Sequence, residues 1–214
     1  MIIDIIQTKT NFDMEWQALK GQTMLAIAKA PFVKGKFQVR IDYFDEHVQD
    51  LYYNPSDTTW GAKLVDRLSF KLFENNTVVG KLVGRTKKTG FLKAFAYYEF
   101  QYDNNVYYGY EVGFGSKGLY LCIYQEEELI AIVDKKLRVV NYRDVYTAYM
   151  LNDEDLKVVV PFVVYYDSVA YGDVMEVAVL SVKEKRVNTI QKELIEKYDS
   201  SFIELIKERD GLIE

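Results

Sequence analysis

The chain has 214 residues, 49% hydrophobic and 28% charged, a balance that supports one large folded domain and excludes disordered, fibrous and collagen-like chains. Thirty-two acidic against 27 basic residues leave a net charge of -5, which opposes general attraction to nucleic acid, so any anion site must be local. A lone cysteine, Cys122, excludes an intramolecular disulfide and a thiolate zinc cage and fits a reducing, cytoplasmic setting.

Eighteen Tyr and 12 Phe beside 3 Pro and 12 Gly favour strands. Residues 1–20 read as an N-terminal segment without a signal-peptide pattern, because Asp4 interrupts the short apolar start. From Gly21 to Gly172 the dominant pattern is apolar–polar alternation broken by turn residues, which predicts successive antiparallel strands. Thr23 to Ala30 and Lys36 to Phe44, split by Pro31, form a first pair. Leu68 to Phe73 and Val78 to Val83 flank the turn Glu74-Asn75-Asn76-Thr77. Tyr98, Phe100 and Tyr102 precede Asp103-Asn104-Asn105, whose side chains tolerate the left-handed backbone of a tight hairpin. Val106, Tyr108, Tyr110, Val112 and Phe114 then alternate on one face, expected inward, with Gly109, Glu111 and Gly113 opposite. Leu119 to Tyr124 and Leu129 to Val133 make the next hairpin. Leu137 to Leu151 and Leu156 to Tyr166 follow as apolar runs separated by Asn152 to Asp155, a polar turn too short for a calcium loop, and Pro161 suggests an edge strand or bulge.

So many strands need closure or sandwiching to protect their edges. Val158 to Val164, the most apolar stretch of this region, falls far short of the roughly 18 residues a membrane-spanning helix needs. Val174 to Val182 is apolar apart from Glu176 and Ser181 and fits either a helix enclosed by protein or a strand. A charged helix is expected to run on to about Tyr198, with Val187, Ile190, Leu194 and Tyr198 as one apolar stripe of a tail over residues 187–214. Ser201 and Glu204 have the spacing of a capping box before a second helix.

Gly113 to Lys136, ending in Ile132-Val133-Asp134-Lys135-Lys136, then Asn141-Tyr142-Arg143-Asp144-Val145-Tyr146 and the apolar segment Asp173 to Lys183, resemble the tubby C-terminal-like superfamily, which includes LURP-one-related proteins and phospholipid scramblases. The resemblance implies a mainly β fold: a closed antiparallel barrel of about a dozen strands around a central hydrophobic helix. It covers residues 21–186, and the helical tail follows. The defined phosphoinositide site of tubby proteins and the membrane anchor and calcium segment of scramblases have no counterpart here.

No catalytic constellation stands out. His47 is the only histidine, so two-histidine metal sites are impossible, and a dyad with Cys122 competes with an inert thiol between Leu121 and Ile123 and with surface or capping chemistry for His47. Gly113, Gly115 and Gly118 match G-x-G-x-x-G spacing, but strand residues follow where a helix is required. Glu176, if buried in a helix, needs a partner or a raised pKa; at the helix entrance it favours the dipole instead. Two basic clusters are the candidate anion sites: Arg85, Lys87, Lys88 and Lys93, and Lys135, Lys136, Arg138 and Arg143. Solvated turns are the ordinary role of such charges.

These features lead to the expectation of a non-enzymatic cytoplasmic binding module without cofactor, metal or nucleic acid, peripheral at a membrane, whose clusters capture anionic phospholipid headgroups. Two alternatives stand beside it: a protein-interaction or self-association module using Val187, Ile190, Leu194 and Tyr198, and, from carboxylates and aromatics alone, an unrecognised hydrolase or lipid-carrying barrel.

Overall fold

A computed structural model describes residues 1–9, 13–31, 38–53, 69–90, 93–137, 143–168 and 187–212. Period-two alternation closes twelve strands into one barrel. In chain order they are β1 (Ile2–Lys9), β2 (Asp13–Lys20), β3 (Thr23–Pro31), β4 (Gln38–Tyr43), β5 (Val48–Tyr53), β6 (Ser69–Glu74), β7 (Thr77–Gly90), β8 (Lys93–Tyr102), β9 (Asn105–Gly113), β10 (Leu119–Gln125), β11 (Glu128–Lys135) and β12 (Val145–Met150). Each pairs antiparallel with its sequence neighbours, and β1 closes the ring against β12 with Ile5 opposite Tyr146 and Ile3 opposite Ala148. Closure removes the two edges an open sheet would expose. The hairpin turns follow the expected chemistry: Asn75, Asn76, Asp103 and Asn104 all take positive φ.

The barrel therefore begins at Ile2, ahead of residue 21: β1 and β2, inside the segment set apart as 1–20, carry inward Ile3, Ile5, Met14, Trp16 and Ala18. The alternation was short and broken by Asp4, which faces outward and accepts a hydrogen bond from Thr147 Oγ1 at 2.8 Å.

The central element also differs from expectation. Leu156–Tyr166, read as a strand, is an 11-residue helix, α1, whose residues from Val158 to Tyr166 are all buried. Its side chains join one core with inward residues from around the ring, including Ile5, Trp16, Ala28, Ile41, Leu51, Phe70, Leu82, Phe100, Leu121, Val133 and Tyr146. An apolar run of this length does not distinguish strand from helix by periodicity, and a helix apolar on every side persists only when protein surrounds it. Segment 174–182, expected as the central helix, lies outside the described residues, and so does Glu176.

Pro161 removes the amide that would donate to the carbonyl of Lys157, four residues back. That carbonyl accepts instead from Gln49 Nε2 of β5 at 3.3 Å, so the barrel wall supplies the hydrogen bond the helix lacks. Before the helix, Asn152 to Asp155 form a capped 3-10 turn in which Asp155 Oδ2 accepts from the Asn152 amide at 2.8 Å, consistent with a polar turn.

The inward face of β9 is the opposite of the one expected. Tyr107, Gly109 and Glu111 face the helix, whereas Tyr108, Tyr110, Val112 and Phe114 face outward. The reason is space: a Cβ on Gly109 would lie 2.8 Å from Phe162 Cε1, and Tyr166 donates its hydroxyl hydrogen to Glu111. The larger side chains are accommodated outside because the tail covers them.

That tail is not one long helix. Around Val187 to Thr189 it is extended, pairing with the end of β9 through Gly115 N to Val187 O (2.8 Å) and Thr189 N to Gly113 O (2.9 Å). A single turn, α2 (Lys192–Ile195), and α3 (Ser200–Arg209) follow. Asp199, not Ser201, caps α3, its carboxylate accepting from the Ser201 amide at 2.9 Å. Phe202 and Ile206 bury against Val112, Cys122, Ile132 and Tyr149 on the barrel exterior, and the Ile2 amide donates to Asp210 at 2.8 Å.

Candidate functional site

The barrel axis is occupied by α1, and both ends of the helix are held by polar clusters, one partly buried and one buried. At its start, Glu74 Oε1 accepts from His47 Nε2 (2.8 Å), Tyr102 OH (2.8 Å) and Gln49 Nε2 (3.0 Å), while Tyr43 OH donates to Gln49 Oε1 (2.7 Å). Burial would raise the Glu74 carboxyl, but these three donors outweigh it and hold the group below its ordinary value. His47 thus belongs to a network that fixes the helix rather than to a dyad with Cys122, which lies on the opposite side of the barrel wall, under the tail. Burial pushes the Cys122 thiol well above its ordinary range, as for an inert packing group.

At the far end, Asp167 is fully buried and accepts from Trp16 Nε1 at 2.8 Å and from Tyr146 OH. Desolvation first, then the nearby Asp144 charge, raise this carboxyl to about 6. Beside it Lys135, only 4% exposed, pairs with Asp144 and lies over the Tyr146 ring, 4.8 Å from its centroid. These carboxylates, the strongest candidates for acid–base work, are enclosed with α1 and serve each other and the helix terminus. The filled axis also leaves the described part of the barrel without the lumen that a lipid-carrying barrel requires.

This geometry divides the second basic cluster. Lys135 continues the inward row of Val133 and is not an exterior cation; strand alternation sends its neighbour Lys136 outward, where it pairs with Asp134 Oδ2 at 2.9 Å. Arg143 is exposed, and Arg138 lies outside the described residues. The pattern Val133, Lys135 at period two was the sequence signal for an inward lysine.

The first cluster holds together better, because β7 and β8 pair with each other beyond the ladders that the described residues of β6 and β9 make with them. The β6 ladder on β7 ends at Val83 and the β9 ladder on β8 at Tyr98, whereas β7 and β8 continue through Arg85–Tyr97, Lys87–Phe95 and Lys88–Ala94 to Gly90–Lys93. Arg85 is held by Glu99 through two 3.2 Å contacts. Lys87 and Lys88 are exposed; Lys93 is placed on β8 by its backbone.

Alongside this arm the outer face of β8 to β10 is aromatic. Tyr97 stacks on Tyr110 (centroids 6.0 Å apart), approaches Tyr108 (6.2 Å) and Phe95 (6.4 Å), and Tyr110 meets Tyr124 edge-on at 5.9 Å. Lys197 of the tail places Nζ 5.1 Å from the Tyr110 centroid and 4.6 Å from that of Tyr124, and Tyr124 donates its hydroxyl hydrogen to the Lys197 carbonyl at 2.9 Å. Burial raises both phenols to about 12, with Tyr97 and Tyr108 adding to the rise at Tyr110 and Cys122 and Asp199 at Tyr124. The sequence offers Tyr97, Tyr98, Tyr107 and Tyr108 as an aromatic ligand surface or membrane-contacting rim beside an ordinary barrel-wall role; strand phase sends Tyr98 and Tyr107 to the core and joins Tyr97 and Tyr108 to Tyr110 outside.

The stripe assigned to partners is largely used within the chain. Leu194 is buried, and Tyr198 packs between Phe114 (5.1 Å) and Tyr120 (4.4 Å). Val187 is fixed by its backbone pairing, while Ile190, 84% exposed, faces solvent. Among the described residues no helix is long and apolar enough to cross a membrane. No family model, curated protein or solved structure matches the chain.

Proposed function

We propose that this protein is a tubby-like, non-enzymatic binding module that works in the cytoplasm at a membrane surface, with the β7–β8 arm engaging anionic phospholipid headgroups. A single observation carries this reading: the arm extends past the ladders made by the described residues of β6 and β9 and bears two exposed lysines, Lys87 on the face of the aromatic outer row, opposite Phe95, and Lys88 on the other face. Lysines supply compact charges to phosphate oxygens, and tyrosines suit the boundary between headgroups and water. Arg85, paired with Glu99, ties β7 to β8 at the base of the arm. The closed barrel with an enclosed apolar helix supports the tubby-like assignment at the level of architecture, with Leu156–Tyr166 in the place the resemblance gave to Asp173–Lys183. The tail-partner alternative loses support because α3, Leu194 and Tyr198 are docked on the barrel.

Co-sedimentation with phosphatidylcholine vesicles, with and without phosphatidylserine, tests the reading. Binding to the anionic vesicles should fall by at least about tenfold in Lys87→Glu/Lys88→Glu, given roughly 1 kcal/mol per basic residue near such a surface, and should weaken with salt. Equal binding by wild type and the double variant would overturn it.

A further inference from the structure

Lys197 is a cation held by rings. Among the described residues its ammonium makes no ion pair or hydrogen bond; its neighbours are the faces of Tyr110 and Tyr124, whose planes stand 77° apart and form two walls of a corner. Tyr97, stacked on Tyr110 at 25°, extends that wall. An ammonium has three N–H donors that seek oxygen acceptors, and rings offer only π density. A quaternary ammonium has no donors to satisfy, is weakly hydrated, and draws its attraction from such faces. The site is therefore better matched to a methylated ammonium than to the lysine occupying it.

We infer that the Tyr110–Tyr124 corner, walled further by Tyr97, is a binding site for a quaternary ammonium group of the choline type, and that Lys197 is its internal placeholder. The tail competes with the ligand: Lys197 sits on the segment between α2 and α3, so a ligand entering the corner displaces the ammonium and loosens this stretch. The inference is independent of the anionic-headgroup reading, because soluble choline requires neither a membrane nor Lys87 and Lys88.

The test uses the full chain carrying ring-labelled tyrosine and follows ring-proton shifts on titration with choline and with choline's neutral tert-butyl isostere. Choline should shift the Tyr110 and Tyr124 resonances, and Lys197→Ala, which vacates the corner without touching a core residue, should bind about tenfold more tightly than wild type, the range of a desolvated cation–π contact. The neutral isostere should bind markedly less well. A parallel arm with phosphatidylcholine vesicles separates sources: capture that depends on Tyr110 and Tyr124 assigns the choline to a lipid, and choline binding without capture assigns it to a soluble ligand. Absence of choline-induced shifts in both wild type and Lys197→Ala, or equal binding of the neutral isostere, would overturn the inference.

Discussion

Gly109→Ala probes the contact between α1 and the barrel wall. The added methyl would stand 2.8 Å from Phe162 Cε1 and 3.3 Å from Leu121 Cδ1, against an ordinary carbon–carbon contact of about 3.5–4.0 Å. Phe162 is fully buried and meets Phe100 edge-on with centroids 5.5 Å apart, so its ring has little room to retreat. Overpacking of this kind costs about 1–3 kcal/mol, offset in part by the roughly 0.4–1 kcal/mol gained when alanine restricts the unfolded chain. A net loss of about 1–2 kcal/mol is expected. Phe162→Leu alone should cost a similar amount through lost contacts, but it removes the ring edge that the new methyl strikes. The double variant should therefore be more stable than the sum of the single changes by about 1 kcal/mol or more. Urea unfolding of the four proteins at matched m-values reads this coupling. Additivity within about 0.5 kcal/mol would refute the placement of α1 against β9.

Asp167 gives a pH signature. Burial and the Asp144 charge raise its folded pKa above the ordinary 3.8, so the native state holds the proton more tightly than the unfolded chain, and stability falls as pH rises from about 4 through 6. Relative to Asp167→Asn, wild type should lose stability as pH rises from 4 to 6.5; a pH-independent difference would contradict it. Gln49→Leu leaves the Lys157 carbonyl and the Tyr43 hydroxyl without their partner, and should cost about 2–4 kcal/mol in chemical denaturation; a loss below about 0.5 kcal/mol would show that the wall does not substitute for the bond Pro161 removes. Ile206→Asp should undock α3 and speed alkylation of Cys122 about tenfold or more while the barrel's circular dichroism is retained; an unchanged labelling rate would mean that the tail does not shield the thiol.

The sequence made the strands legible because alternation and turn residues agree: Asn75, Asn76, Asp103 and Asn104 adopt the backbone their side chains favour, and the hairpins around them are in place. It did not reveal which alternate residues face inward. On β9 the larger side chains point outward, because the interior accommodates Phe162 where Gly109 gives way and the exterior is covered by α3, two facts that depend on residues at least fifty positions away. The same tertiary override turned the valines around Pro161 into a helix. Among the candidate site residues, Lys87 and Lys88 were readable as a local charge cluster, whereas Lys135 was separated from its neighbours by strand phase. The tyrosine corner depends on β9, β10 and the tail coming together, and no local pattern encodes it.

Native-state hydrogen exchange on the α1 amides most directly tests whether the barrel is closed around this helix. Val159, Val160, Phe162, Val163 and Val164 are all buried on the axis, so their amides should exchange only by global unfolding, with the same free energy as the β1–β12 closing ladder at Ile3 and Ile5. Exchange of the helix amides through a smaller opening while that ladder stays protected would contradict a helix enclosed by the barrel.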